Sequence, residues 1–160
     1  MVDDNRDNDD FPDPEDVIAG HDPEESKDEV GDDLPDADRI IQIHDRIEDE
    51  YDLTHTGAAV AAPRLEFKEL LREVDEYEGE YQRAAALLRK IITAHYFEDG
   101  NKRTGWMTTR QYLDDHGHAP AERDAERVAR VAKSIRSFDI SEIAKWLENG
   151  KIDEGKLNPR

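Results

Sequence analysis

YQRAAALLRKIITAHYFEDGNKRTGWMTTRQYLDDHG, residues 81–117, is the stretch whose reading decides the fold. Its first half places Ala84, Leu87, Leu88, Ile91 and Ile92 at helical spacing, without the alternation a strand would need. That spacing predicts a buried helix from about Tyr81 to Phe97, carrying His95 in its last turn. A second helix is predicted from Asn101 to about His116, with Gly117 as its stop signal. The run HYFEDGNKRTG, His95 to Gly105, therefore joins two helices and delivers any ligand to the N-terminus of the second. Free N–H groups and the positive end of the helix dipole favour an anion there.

The residue types in this run suit phosphate chemistry. An imidazole such as His95 can take a proton from a hydroxyl near neutral pH. Asp99 supplies a hard oxygen ligand for Mg²⁺. Gly100 allows a tight turn whose amides can face an anion. Asn101 and the rigid donor fork of Arg103 can then grip phosphate oxygens. Each residue alone has a plainer reading. His95 shares a helical face with Leu88 and Ile91 and could be a core histidine, and Asp99 could simply cap the next helix. Arg103 in a first helical turn opposes the dipole unless an anion joins it, a local conflict of the kind found at functional sites. The four together favour catalysis. Phe97 reads as a packing anchor, Glu98 as solvent-facing, and Tyr96 receives no role.

The run from His95 to Thr104 closely resembles the signature of the Fic/Doc family, and its Asn101-Lys102-Arg103-Thr104 end resembles the death-on-curing, or Doc-like, branch. The similarity extends from about Arg39 to Gly150. It implies an all-α domain of about six helices around a buried central helix. It also implies a toxin of a toxin–antitoxin pair that uses ATP and Mg²⁺ to move a phosphate onto a Ser or Thr hydroxyl of a protein, such as a translation elongation factor. The catalytic residues it implies are His95, Asp99 and Arg103, with Asp99 as the metal ligand. Gly100, Asn101, Lys102, Arg103 and Thr104 would bind the nucleotide. Lys102 stands where AMP-transferring Fic proteins usually have Gly, and its bulk and charge would disfavour their nucleotide pose. Those proteins often carry a second Arg where this chain has Trp106, partnered by an inhibitory Glu from a Ser/Thr-x-x-x-Glu helix. Ser26 is followed four residues on by Val30 and Ser141 by Lys145, so inhibition is expected in trans, from an antitoxin.

Outward from the motif, a first helix is predicted from about Asp38 to Tyr51, with Ile40, Ile43, His44 and Ile47 on one face. Thr54, Thr56, Gly57 and Pro63 break the pattern over 52–64, which reads as loop. The resemblance makes that loop the candidate flap that docks a target as an added strand. Further helices are predicted over about Leu65–Tyr77, Ala121–Arg136 (burying Ala125, Val128, Ala132 and Ile135) and from an Asp139/Glu142 capping box to Gly150. The Arg123, Arg127 and Arg130 stripe is interleaved with Glu122, Asp124 and Glu126 and reads as a solvated face, so direct nucleic-acid binding is not expected. His44, His55, His116 and His118 have no partner at metal-ligand spacing, and His116 and His118 read as exposed.

Composition separates a tail from a body. Residues 1–38 hold seventeen acidic and two basic residues, about −15 of the net −19, and too few apolar ones to offset ordering entropy. That segment is expected to be disordered, with 39–150 as the catalytic domain and 151–160 as a C-terminal tail. Cysteine is absent, which excludes disulfides and thiolate metal sites. The acidic N-terminus and the lack of a roughly 20-residue apolar run predict a cytoplasmic protein without a membrane span. Two rivals stand beside this reading: a Fic-type AMP transferase that uses the same residues with the nucleotide reversed, and a catalytically silent helical module that keeps the fold and binds an antitoxin or DNA, against which intact His95, Asp99, Asn101 and Arg103 argue.

Overall fold

The computed structural model describes residues 34–157. The expected disorder of the acidic tail falls, as far as residue 33, outside the described residues. Among the described residues there are six α-helices, two 3₁₀ turns and no strand. The helices are α1 (Ala37–Glu50), α2 (Pro63–Val74), α3 (Glu80–Ala94), α4 (Asn101–Asp115), α5 (Ala125–Lys133) and α6 (Ile140–Asn149).

Local chemistry sets most of these boundaries. Asp36 caps α1 by accepting from the Arg39 N–H at 2.8 Å. Pro63 opens α2 at a first-turn position, where its missing N–H costs nothing; the helix thus starts earlier than its apolar residues suggest. Asp139 and Glu142 form the predicted capping box of α6, and Gly150 ends that helix at φ 81°. α5 is shorter than its periodicity implies. It starts after the Asp124 cap, leaving Ala125 half-buried, and passes through Ser134 into a 3₁₀ turn, Ile135–Ser137. Beyond Gly150 the chain folds back on the body: Leu157 is buried, Lys156 pairs with Glu142 at 2.7 Å, and Glu154 pairs with Arg127.

α3 and α4 form an antiparallel hairpin at the centre. The Gly105 Cα lies where an added Cβ would stand 3.0 Å from Ile92 Cγ1 and 3.4 Å from the Leu88 carbonyl, while Thr109 Oγ1 reaches the Ala84 carbonyl at 3.4 Å. Glycine at 105 thus lets the two backbones approach. The helix buried on all sides is α4, with twelve of its fifteen residues buried. The more apolar α3 is buried from Ala84 to Leu88 and at Ile91 and Ile92, and half-buried elsewhere. The remaining helices surround this pair, and the α3–α4 connection emerges at one end, beside α1 and the 51–62 segment.

Candidate active site

α3 ends three residues before the predicted Phe97. His95 is not in its last helical turn but is its C-cap, in the left-handed region at φ 55°, and it is exposed. It is the one non-glycine residue with positive φ among the described residues. The helix stops because another partner takes the backbone groups that would continue it. The Asn101 side chain donates to the Phe97 carbonyl at 2.9 Å and accepts from the Phe97 N–H at 3.2 Å. Asn101, which the sequence suggested would grip phosphate, is a buried clamp that folds the connection back on itself.

Phe97 is the anchor expected of it. Its ring lies in the core against Phe67, with centroids 5.5 Å apart, and stacks flat on His44 at 3.6 Å. Tyr96 packs edge-on against Phe67, and burial followed by the Glu66 and Glu73 carboxylates pushes its phenol pKa up, so it stays neutral. Glu98 is exposed, as predicted.

Asp99 does not cap α4. Its Oδ1 accepts from the N–H of the adjacent Gly100 at 2.8 Å, and its Oδ2 accepts from the Thr54 N–H at 3.1 Å. The N-cap is Gly100, at φ 81°, and no side chain caps the helix. No acidic residue lies in the first turn of α4. The first intrahelical bond runs from the Thr104 N–H to the Gly100 carbonyl, so no intrahelical carbonyl takes the amides of Asn101, Lys102 and Arg103. An uncapped helix start beside a half-exposed carboxylate is a donor set that fits a metal-bound phosphate chain.

Arg103 is 5% exposed, with its guanidinium 4.3 Å from the Tyr51 ring centroid. Lys102 is exposed. Thr104 departs from its expected role. Its side chain is fully buried and its N–H is already bonded to Gly100, so neither group is offered to a nucleotide.

The 51–62 segment leans on this connection. Ala58 and Phe97 form an isolated antiparallel bridge, with the Ala59 N–H donating to Tyr96 at 2.8 Å and the Glu98 N–H to Gly57 at 3.0 Å. The Gly57 N–H donates to Glu48 at 2.6 Å. Tyr51 and Leu53 pack against Ile43, Ile47 and Met107.

His44 is the residue that reading the sequence missed. The helical face it shares with Ile40, Ile43 and Ile47 was legible, but its Nε2 lies 2.8 Å from the Asp99 carbonyl, a contact across 55 positions that no local pattern signals. It also has partners at metal-ligand distances, correcting the expectation of none: one ligand atom each from His44, Asp45 and Glu48 falls within 4.8 Å of the others. His116 and His118 are half-buried rather than exposed. The first bonds the Tyr112 carbonyl at 2.8 Å and the second pairs with Glu80 at 2.5 Å. The Arg stripe is engaged at its centre, Arg127 bonding both Glu122 and Glu154.

The Fic/DOC family model matches residues 34–113, half of the chain. The protein named Toxin Doc of Mycolicibacterium smegmatis is 33% identical over 90 residues, covering 54% of this chain and 66% of that protein. The match thus falls just short of two thirds of the relative's length. No solved structure matches the chain. No helix among the described residues is long and apolar enough to cross a membrane.

Proposed function

This chain belongs to the Fic/Doc family, and on that premise we propose that it is a Doc-like phosphotransferase, the toxin of a toxin–antitoxin pair, acting on a Ser or Thr hydroxyl of a protein. The observation that carries the reading is the pairing of an exposed His95 with the uncapped start of α4 across one short connection holding Asp99. A base that must meet a hydroxyl on another protein has to be accessible, and His95 is.

His95 would accept the hydroxyl proton as the hydroxyl oxygen attacks the γ-phosphorus of ATP in line. A phosphorus–oxygen bond forms, the bond to the β,γ-bridging oxygen breaks, and ADP leaves. The amides of Asn101, Lys102 and Arg103, with the Lys102 and Arg103 cations, would hold the phosphates and spread the developing charge. Asp99 would hold Mg²⁺, which when bound neutralises phosphate charge. Lys102, where AMP-transferring relatives usually carry Gly, favours the γ-phosphate over the α-phosphate at the attacked position. The 51–62 segment, bridged to Phe97, is the candidate flap for the target chain. A translation elongation factor is the target the Doc resemblance suggests, and the cytoplasm is the matching compartment.

Control would come from outside the chain. Trp106 is buried in the core against Trp146, so its side chain cannot meet an inhibitory carboxylate at the phosphate site. A separate antitoxin covering the site takes that role.

Incubating the protein and a cell extract with ATP labelled at the γ or the α position tests the reaction. Label should enter protein from γ alone. Entry from α would establish AMP transfer, and entry from neither, with growth arrest persisting in His95→Ala, would leave the silent binding module.

A further inference from the structure

His44 belongs to α1, yet its ring contacts Phe97, Asp99 and Gly100 of the α3–α4 connection and faces Glu48, the residue that tethers the 51–62 segment. His44 is only 1% exposed. Nε2 sits 2.8 Å from the Asp99 carbonyl, and because a carbonyl oxygen can only accept, Nε2 carries the proton. The ring lies parallel to Phe97, within 3°. It also backs Gly100, where an added Cβ would stand 3.4 Å from Nε2 and 3.3 Å from Leu53 Cδ1. One imidazole therefore touches Phe97, Asp99 and Gly100, the residues that aim the Asp99 carboxylate and the first amides of α4.

The opposite edge of the ring faces Glu48, whose Oε2 is 3.8 Å from Nδ1. That same oxygen accepts the Gly57 N–H at 2.6 Å, and Gly57 in turn accepts from Glu98. Glu48 and His44 thus lie beneath both segments and connect one to the other. A histidine that merely filled space would not need a donor aimed at a carbonyl in a tight turn. Removing that donor would leave a half-buried carbonyl unpaired in the turn that has to stay rigid.

We propose that His44 is a positioning residue: through its N–H to Asp99 it fixes the Asp99–Gly100 turn for metal and phosphate binding, and through Glu48 it keeps the 51–62 segment in register with that turn. The metal half of this inference rests on the proposed function; the turn-fixing half does not.

The test uses the full chain as wild type, His44→Leu, His44→Gln and Glu48→Gln, with two readouts. Without ligand, the amide resonances of Gly57, Asp99 and Gly100 report the turn and its tether. With Mn²⁺ and a non-hydrolysable ATP analogue, paramagnetic resonance reports binding. His44→Leu keeps bulk and loses the donor, so all three resonances should move and binding should weaken by about 10–100-fold, the usual effect of losing a partner behind a metal ligand. Gln can present an N–H near the Nε2 position, so His44→Gln should recover most of both. Glu48→Gln should move Gly57 more than Gly100.

Resonances and binding in both His44 variants that match wild type would overturn the proposal. So would equal loss in Leu and Gln, because volume alone would then be at stake. Should His44→Leu fail to fold, a native-like His44→Gln supports the role of the donor and a displaced turn in His44→Gln refutes it. Wild type that binds no Mn²⁺–nucleotide would remove the phosphotransfer reading and the metal half with it, while the resonance arm would still decide whether His44 fixes the turn.

Discussion

α3 and α4 run side by side, but they enter the core with opposite chemistry. α3 buries only Ala, Leu and Ile, from Ala84 to Leu88 with Ile91 and Ile92, and its remaining residues are half-buried. α4 is buried nearly all round while carrying Arg103, Thr104, Thr108, Thr109, Arg110 and Gln111 inward. Apolar side chains need only matching shape, whereas buried polar groups need partners, and an unmet one costs about 1–3 kcal/mol. Thr104 Oγ1, Thr108 Oγ1 and the Trp106 indole N–H meet no hydrogen-bonding partner among the described residues. The difference teaches that α3 serves as packing volume, whereas α4 occupies the centre because its N-terminus must be delivered, rigidly, to the connection that carries His95 and Asp99.

If that division holds, function should be lost at the seam without loss of fold. His95→Ala should reduce phosphate transfer by about 10²–10⁴-fold, the range for a lost general base, with an unchanged melting temperature because the side chain is exposed. A fall in melting temperature of many degrees would mean that His95 is structural and blur the contrast. Within α3 the effect should be on stability alone. Leu88→Ala empties volume that is 1% exposed and should cost about 2–5 kcal/mol in denaturant unfolding. A cost under about 1 kcal/mol would show that the hairpin collapses freely around the gap.

The interface between the two helices comes next. Gly105→Val would force a branched side chain toward Ile92 and the Leu88 backbone, costing about 1–3 kcal/mol. An unchanged unfolding midpoint would mean the helices can separate. The smallest effect belongs to α4's unpaired hydroxyl. Thr104→Val preserves shape and removes that hydroxyl, so stability should change by less than about 1 kcal/mol in either direction, with nucleotide affinity untouched. Weaker nucleotide binding in Thr104→Val would return Thr104 to the binding set.

Much of the helical frame was legible because its signals are local. The 3.6-residue period marked the inward faces of α1, α2 and α3, and the Asp139/Glu142 box with Gly150 fixed both ends of α6. The burial of α4 was not legible, since its sequence has no apolar face to read; only packing from every side reveals it. The end of α3 was misplaced because Tyr96 and Phe97 continue its apolar character, while Asn101 captures the Phe97 backbone from beyond the helix. An amide side chain serves a phosphate or a peptide group equally well, so residue type alone could not assign Asn101. Likewise, the identity of the run His95–Arg103 pointed to the site, but its dependence on His44 arises from a contact between distant segments.

The account rests on the connection between α3 and α4 being a nucleotide site, and a crystal structure with Mg²⁺ and a non-hydrolysable ATP analogue tests that most directly. The account predicts phosphates seated on the amides of Asn101, Lys102 and Arg103, the metal on Asp99, and the γ-phosphorus nearest His95. A nucleotide bound elsewhere, or a connection left empty at saturating ligand, would contradict it.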